Sequence, residues 1–534
     1  MAYNDVKDKI LQIVREVKED LDVEQLYART DELIEYLDNS NLDIDYACKA
    51  LNACAESIEN IRIKAYFYSI MLQMPLCLSK ENDSFSKIID TIYDSTQFSV
   101  REKQVYFYMI SYRMFVTPFL QTDQNKVLLW KSFNNIVREY HDVIWKESHF
   151  PYITKEKRNE NFYVVIADQI LAEEHGPTKP AFDRCRALMS LGNNVLLINT
   201  GENCFEREPV LFYGSVYANH ADEFDKLESI HYQGYDIPFC QIGKGIMDVD
   251  KLTEYLRIIY EYKPNMVIDI GGSTLLGNLC NYFIPVLAVT LGPDNLIRTT
   301  EKFQTLGRKL NDNDRQILQQ IGYPEDKVIE MMMTFEVKEQ KTTLSKSDLG
   351  MREDDFEAIV VGGRLDEEVS PEFLELIRSI ADSKDNIHFN FCGRFAKYDE
   401  IIGADRKLSN VCSFLGMQSD IMAVLDNIDL YVNPIRLGGG TSAQEAMLKG
   451  IPVVTGKVGD VYANCHDEFA VNNYDEMAAV IIKYMEDSTY YKTQSDIARR
   501  LADMEHDTIG EFNRIIEECR KRDNDNCFRN VGNI

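Results

Sequence analysis

The sequence predicts an α/β protein in which two domains with doubly wound parallel sheets follow an all-helical N-terminal domain. The first 158 residues contain no glycine and repeat apolar residues at helical spacing. Two later segments alternate short apolar strands with amphipathic helices, as buried parallel sheets do. A polar stretch, residues 335–350, separates the two series. The expected domains are 1–158 (helical), 159–335 and 336–500 (both Rossmann-like) and a helical tail, 501–534.

The N-terminal domain reads as a helix bundle. Residues 7–22 place Ile10, Ile13 and Val17 on one helical face, and similar patterns continue to about residue 158. Tyrosine and phenylalanine are dense there, as in YFYSIM and VYFYMISYRMFVTPF. We interpret these rings as the core of the bundle, and the alternative is a docking surface for an acceptor or a partner.

Each Rossmann-like domain is recognised by its strands. In the first, NFYVVIA, NVLLIN, NMVIDI and PVLAVT are the principal apolar strands, and a helix follows most of them. In the second, FEAIVVGG, IHFNFCG, DLYVNPI and IPVVTG play the same part. Ligands of such sheets bind at the carboxyl ends of the strands, so the two domains predict one composite cleft.

Composition excludes several classes of function. Lys and Arg total 58 against 87 Asp and Glu, a formal net charge of −29. Such a surface repels nucleic-acid backbones and anionic lipid, so neither is an expected partner. The N-terminus has no signal-like apolar region and no run is long enough to span a membrane, which predicts a cytoplasmic protein. Twelve cysteines without a CxxC pair predict reduced thiols and no zinc site.

The segment NPIRLGGGTSAQEAMLKGIPVV contains the strongest candidate site. Gly438, Gly439 and Gly440 separate a strand from a helix, so backbone amides and the helix dipole can receive a diphosphate. Thr441 and Ser442 open that helix, and Arg436 can neutralise phosphate charge. Glu445 follows one turn later, where a carboxylate can accept hydrogen bonds from ribose hydroxyls. The alternative is a flexible turn with a surface glutamate.

This segment resembles the nucleotide-sugar signature of GT-B fold glycosyltransferases, most closely glycosyltransferase family 4. VVGGRLDEE and VCSFLGMQSDIMAVLDNIDLYVNPI resemble the parts of the family that precede the signature. The resemblance implies a GT-B fold, a donor diphosphate held by Gly439, Gly440 and Thr441, and a ribose held by Glu445. Gly363 and Arg364 would lie near the phosphates.

Two departures from the family pattern concern charge. Leu437 stands where many members have a sugar-binding glutamate, and Asp366 to Glu368 stand where a lysine usually follows the Gly-Arg turn. We expect Arg436 or Arg394 to supply the missing positive charge. The departures leave the donor sugar and the choice between retention and inversion open.

The first domain offers weaker candidates. His175, in the loop EEHGPTKP after the first strand, is our candidate general base, and the alternative is an ordinary loop histidine. Thr178 of the same loop is a second cleft candidate, whereas we interpret Lys179 as a solvated lysine, with phosphate pairing as its alternative. A second turn of the first domain, with Gly271, Gly272 and Ser273, either contacts the cleft or allows close strand–helix packing.

Other chemistries lack their motifs. GKGIMD lacks the third glycine of a dinucleotide fingerprint, and GSTLLGN lacks the lysine of a P-loop. The DxD matches are scattered along a strongly acidic chain, so we expect a metal-independent reaction without a cofactor.

The expected activity is transfer of a hexose or N-acetylhexosamine from a nucleotide-sugar, a UDP-sugar by preference. The helical segment before a GT-B core resembles, in arrangement only, bacterial enzymes that glycosylate adhesins or flagellin, so a protein acceptor is favoured over a surface-polysaccharide precursor. Two alternatives remain: a non-catalytic GT-B partner of another transferase, and a nucleotide-sugar epimerase. The sequence leaves the oligomeric state open.

Overall fold

The fold class predicted from the sequence is confirmed. A computed structural model describes residues 8–9, 12, 23–39, 44–72, 83–117, 120–172, 175–202, 212–214, 219–243, 248–292, 295–334, 340–504 and 507–523. Two separate, mostly parallel sheets follow a helical segment. The predicted first helix, residues 7–22, lies almost entirely outside the described residues.

The helical segment buries its aromatic residues, as interpreted from the sequence. Its described helices are α1 (Val23–Asn39), α2 (Ile44–Glu56), α3 (Ile61–Met71), α4 (Asp83–Tyr93), α5 (Val100–Val116) and α6 (Asp123–Glu147). Tyr66, Phe67 and Tyr106 are almost fully buried. Their core continues without a break into the first sheet, where it includes Val164 and Val267. The bundle and the first Rossmann-like domain therefore share one hydrophobic core.

The first sheet has eight strands in the order β3-β4-β2-β1-β5-β6-β7-β8. They are β1 (Asn159–Ala167), β2 (Asn194–Asn199), β3 (Ser229–Tyr232), β4 (Tyr235–Gln241), β5 (Pro264–Ile270), β6 (Val286–Val289), β7 (Phe303–Leu306) and β8 (Val328–Glu330). Only the β3–β4 pair is antiparallel. Its helices are α7 (Thr178–Ser190), α8 (Val249–Tyr262), α9 (Leu275–Cys280) and α10 (Asp312–Ile321). The strand order reverses between β1 and β5, which opens a crevice there.

The second sheet has six parallel strands in the order β11-β10-β9-β12-β13-β14. They are β9 (Phe356–Gly362), β10 (Ile387–Gly393), β11 (Cys412–Gly416), β12 (Leu430–Val432), β13 (Val453–Gly456) and β14 (Ala470–Val471). The accompanying helices are α11 (Leu365–Glu368), α12 (Pro371–Ser383), α13 (Arg406–Val411), α14 (Ile421–Leu425), α15 (Gly440–Leu448), α16 (Gly459–Cys465), α17 (Tyr474–Glu486) and α18 (Ser488–Met504). Here the order reverses between β9 and β12, the two strands whose turns contain the candidate donor residues.

The last described helix, α19 (Thr508–Arg522), returns to the first Rossmann-like domain. Phe512 and Ile515 are buried in the core of that domain. Just after the helix, Asp523 accepts a hydrogen bond of 2.6 Å from Arg158 and pairs with Lys302. The tail predicted from the sequence is therefore part of the first domain's packing.

No helix among the described residues is both long enough and apolar enough to cross a membrane.

Candidate active site

Among the described helices longer than two turns, two that begin at the carboxyl edges of the sheets have N-termini without a side-chain cap. They are α7, which is preceded by Pro177, and α15, which is preceded by Gly439. Elsewhere Ser99, Asp248 and Asn311 accept hydrogen bonds from the first turns of their helices. An uncapped first turn leaves amide groups and a partial positive charge available to an anion. In α7 the amides of Thr178 and Lys179 donate to the His175 carbonyl, and residue 180 is a proline without an amide hydrogen. The N-terminus of α15 is therefore the natural place to look for a bound phosphate group.

The turn before α15 requires glycine at its centre. Gly439 has a φ of +104°, and a Cβ there would lie 2.8 Å from both Arg436 Nη2 and Asn433 Oδ1. A Cβ on Gly438 would make ordinary contacts at 3.4 Å or more. The Ala443 amide bonds to the Gly439 carbonyl, which leaves the amides of residues 440–442 at the open end of the helix. The turn before α15 is therefore open at the amides of residues 440–442, and anion binding there stays a prediction.

Glu445 lies one turn into α15 and faces the first domain. Its side chain is 5% exposed, and its Oε1 lies 3.7 Å from Nζ of Lys179 on α7. This ion pair joins two helices that begin at the carboxyl edges of the two sheets. The sequence favoured a solvated Lys179; the structure instead places it at the domain junction with 15% of its side chain exposed. Its charge, opposite to that of Glu445, was the only sequence signal for this contact.

Arg436 is buried, and each of its three guanidinium nitrogens has a protein partner. Nε donates to Asn433 Oδ1 at 2.7 Å and Nη2 donates to the Val361 carbonyl at 2.6 Å, while Nη1 pairs with the Glu368 carboxylate. Arg436 therefore fastens the turn after β9 to the turn after β12. A phosphate group bound to this guanidinium would compete with the Glu368 carboxylate for its positive charge.

Arg364 is the more accessible arginine of the cleft. Half of its side chain is exposed, and it bonds to Glu368 Oε1 at 3.0 Å. Its Nη2 lies 3.4 Å from the Cβ position of Gly438, beside the glycine turn. Open space surrounds the Cβ position of Gly363. Arg394 is exposed at the end of β10, where its backbone amide donates to the Gly362 carbonyl. These residues lie at one edge of the second sheet.

Glu368 is a site residue that sequence reasoning noticed only as a departure from a pattern. Its two carboxylate oxygens divide between Arg364 and Arg436. Oε1 also lies 3.6 Å from the Cβ position of Gly438. A carboxylate next to a diphosphate seat weakens anion binding unless its neighbouring arginines compensate it.

His175 is half-buried in the loop before α7. Its Nδ1 lies 3.1 Å from Thr178 Oγ1, and its carbonyl accepts from the Lys179 amide. Burial lowers the pKa of His175, so the ring is neutral at pH 7, as a general base must be. Thr178 is fully buried, and its hydroxyl accepts from the Leu171 amide at 3.0 Å. Thr178 therefore fixes the loop that carries His175, and His175 lies four residues before Lys179 in the sequence.

The glycine turn after β5 differs from the one before α15. Gly271 and Gly272 have φ values of +92° and +68°, and a Cβ on Gly272 would meet Ala288 and Ile297 at 2.6 Å. The N-terminus of α9 is already occupied, because the carboxylate of Glu202 accepts from the amides of residues 275 and 276 at 2.7 and 3.0 Å. Gly272 thus supports close packing, whereas Gly271 and Ser273 line a cavity beside the helical bundle.

A group of buried carboxyls lies beneath this turn. Burial raises the pKa of Glu202 to about 8 and that of Asp269 to about 7. The pKa of Glu301, which hydrogen-bonds Asp269, is raised well above its usual value by burial and then by that neighbour. Around neutral pH these groups hold protons that the same groups would release in water.

Comparison with known proteins agrees with the signature of the second domain. Residues 357–487, about a quarter of the chain, match the family model described as Glycosyl transferases group 1. The resemblance drawn from the glycine turn is thereby confirmed for this part of the second domain. No curated protein matches the chain in a sequence comparison.

Several solved structures resemble the fold at low identity. A glycosyltransferase from Rickettsia africae is 14% identical, with a TM-score of 0.49, and the match covers 68% of this chain and all of that one. HepE from Anabaena, solved in complex with UDP, is 14% identical, with a TM-score of 0.48, and the match covers 67% of this chain and 100% of that one. A mutant O-GlcNAc transferase from Thermobaculum terrenum is 12% identical, with a TM-score of 0.48 and 98% of both chains covered. Likenesses this distant bear on neither donor nor acceptor.

Proposed function

We propose that this protein is a glycosyltransferase that moves a sugar from a nucleotide-diphosphate sugar, specifically a UDP-sugar, to an acceptor. The observation that supports this most is the uncapped N-terminus of α15, entered through the positive φ of Gly439 and followed by a buried carboxylate at Glu445. It provides amides for a diphosphate and an acceptor group for ribose hydroxyls within two helical turns.

The proposed mechanism depends on stabilising the negative charge of the leaving group. Breaking the anomeric C–O bond leaves negative charge on the nucleotide diphosphate. The amides of residues 440–442, the dipole of α15 and the exposed guanidinium of Arg364 would stabilise that charge without a metal ion. Fixed donors of this kind need no reorganisation as the charge develops.

The first domain would contribute from the opposite side of the cleft. In the structure Lys179 neutralises Glu445. When ribose hydroxyls bind Glu445, we propose that the Lys179 ammonium turns to the adjacent phosphates, which lie on the same end of α15. His175, neutral and one helical turn before Lys179, would accept the proton of the attacking hydroxyl.

Nucleotide release tests the proposed activity. Purified protein would be incubated with a panel of UDP- and GDP-sugars, and free nucleotide would be measured. We expect release from a UDP-sugar, and a loss of at least about tenfold in Glu445→Gln and Lys179→Met, each of which removes one charged contact. Glu375→Gln, an exposed glutamate on α12, is the matched control. Wild-type rates in both cleft variants would contradict the assignment of these residues.

The acceptor we propose is a polypeptide. The bundle shares its core with the first Rossmann-like domain, so it forms a fixed wall of the acceptor side. At its edge Phe115 and Val116 are 49% and 40% exposed, which offers apolar contact to a chain lying along the cleft. Intact-mass measurement of candidate proteins co-expressed with the enzyme tests this. A hexose or N-acetylhexosamine increment is expected, and transfer only to a saccharide precursor would contradict it.

Glu368 favours a second candidate, a non-catalytic partner of another transferase. Its carboxylate beside Gly438 opposes the binding of a diphosphate. Isothermal titration with UDP separates the two proposals, because a catalytic domain must bind the nucleotide and a pure scaffold need not. Binding that is lost in Glu445→Gln supports the transferase, and no binding to the wild type supports the scaffold.

A further inference from the structure

A cavity of about 230 Å³ lies between the helical bundle and the first Rossmann-like domain. Helices α5 and α6 form one wall, and the turns after β5, β6 and β7 form the other. Its lining includes three cations, Lys126, Arg298 and Arg308, and one acid, Asp314. Asp314 pairs with Arg308 at 2.5 Å, whereas Lys126 and Arg298 make no ion pair within the described part of the chain.

Arg298 is the unusual member of this lining. Its Nε is buried and, among the described residues, has no hydrogen-bond partner. Burial alone lowers the pKa of Arg298 to about 10, with no acidic side chain opposing the effect. Arg184 and Arg186 of the same domain also have a buried Nε without a hydrogen bond, but Arg184 donates both Nη groups to the Thr334 carbonyl and Arg186 lies 3.7 Å from Asp183. Arg298 is partly exposed as a whole and has no such neighbour within the described part of the chain, so its guanidinium is available to an anion.

The backbone around Arg298 is fixed from both sides of the cavity. Trp130 of α6 donates from Nε1 to the Thr299 carbonyl at 2.9 Å, and Ser273 donates to the Arg298 carbonyl at 3.2 Å. The backbone that carries the Arg298 side chain is therefore fixed. Burial also lowers the pKa of Lys126, which Asp123 and Asp314 oppose from a distance. Asp123 itself accepts a hydrogen bond from Asn313.

The cavity opens toward the proposed donor site. Its lining includes Phe115, and the guanidinium of Arg364 lies 5.6 Å from the centre of that ring. Gly271 and Thr290, at the carboxyl ends of β5 and β6, are also part of the lining. Next to them, the Cβ position of Gly292 lies 3.6 Å from Asp460 of α16 in the second domain. A group held in the cavity is thus next to the cleft between the domains.

We infer that this cavity binds an anionic group of the acceptor, a phosphate or a carboxylate, through Arg298 and Lys126. That the anion belongs to an acceptor rests on the proposed function, but the existence of the anion site does not. The volume is below the roughly 300–1,000 Å³ of whole small-molecule sites, so the cavity holds an end group or side chain, and the rest of the acceptor extends to the cleft. Charge selection here would restrict the enzyme to acceptors with an acidic group near the accepting hydroxyl.

Anion titration tests the site directly. Methyl phosphate and acetate would be titrated separately into the full-length protein by calorimetry, with UDP present to fill the diphosphate seat. We expect one of them to bind, with affinity reduced about tenfold or more in Arg298→Met and in Lys126→Met. The stronger ligand identifies the class of anion. The control is Arg315→Met, a half-exposed arginine on α10 outside the cavity lining, which should bind like the wild type.

Thermal unfolding separates a binding arginine from a structural one. Because Arg298→Met removes a guanidinium whose Nε is buried without a hydrogen bond, the variant should melt at the wild-type temperature or higher. A melting temperature of Arg298→Met below that of Arg315→Met would overturn the inference. So would an unchanged anion affinity in Arg298→Met, displacement of the anion by UDP, or no anion binding to the wild type. Failure of UDP binding would instead remove the proposed function and leave the anion result standing.

Discussion

Replacing Gly439 by alanine tests the turn on which the proposed donor site depends. The residue has a φ of +104°, which L-residues with a Cβ rarely adopt. The new methyl group would lie 2.8 Å from Arg436 Nη2 and Asn433 Oδ1. These two side chains are bonded to each other at 2.7 Å and are buried, so neither can move aside without breaking that bond.

The expected cost follows from these two terms. A left-handed conformation costs a residue with a Cβ about 1–2 kcal/mol, and overpacking of a closed site costs about 1–3 kcal/mol. Gly439→Ala should therefore lose about 2–5 kcal/mol of stability. Gly438→Ala is the matched control, because its Cβ has room and its φ is not positive, so its stability should stay within about 1 kcal/mol of the wild type.

Differential scanning calorimetry and UDP titration measure the outcome. We expect Gly439→Ala to melt at least about 4 °C below Gly438→Ala and to bind UDP about tenfold or more weakly, because the displaced turn misaligns the amides of α15. Equal melting temperatures for the two variants would refute the packing argument. Reduced stability with unchanged UDP affinity would show that the nucleotide binds elsewhere.

Three further outcomes follow from buried groups. The pKa values of Glu202 and Asp269 are raised in the folded state to about 8 and about 7, above their unfolded values of about 4. Their stabilising contribution is therefore complete below about pH 4 and is lost as the pH rises toward 8. The melting temperature of Glu202→Gln, measured from pH 5 to 8.5, should decline less steeply than that of the wild type, and parallel curves would contradict this. Arg436→Ala should cost about 3–5 kcal/mol, because Glu368 is left buried without its main partner, and the double variant Arg436→Met/Glu368→Leu should recover most of the loss in a denaturant titration. Trp130→Phe should cost about 1–3 kcal/mol, since the buried Thr299 carbonyl loses its donor, and an unchanged midpoint of urea unfolding would argue against that bond.

Local features of the chain were enough to predict the fold class and the glycine turn between β12 and α15. The glycine turn before α15 and the position of Glu445 one turn later follow from a few consecutive residues, as do the two series of strands. The structure has a similar turn after β5, yet Glu202, more than seventy residues earlier in the chain, occupies the helix end there. No local pattern could distinguish the occupied turn from the open one.

Contacts between distant segments account for what the sequence did not reveal. Arg436 has the residue type and position of a phosphate ligand, but Glu368, which compensates it, lies on a different turn of the second domain. Lys179 became significant only through Glu445 in the other domain. The cavity around Arg298 is assembled from the bundle and from turns more than a hundred residues later. Each depends on tertiary packing, which sequence periodicity does not encode.

The return of α19 to the first domain means that the polypeptide connects the two Rossmann-like domains twice, between residues 334 and 340 and again between residues 504 and 507. Two covalent connections restrain relative motion more than a single linker does, because rotation about one of them is opposed by the other. The Lys179–Glu445 ion pair lies between the two domains that these connections join, so its geometry depends on a relative position of the domains that both connections restrain.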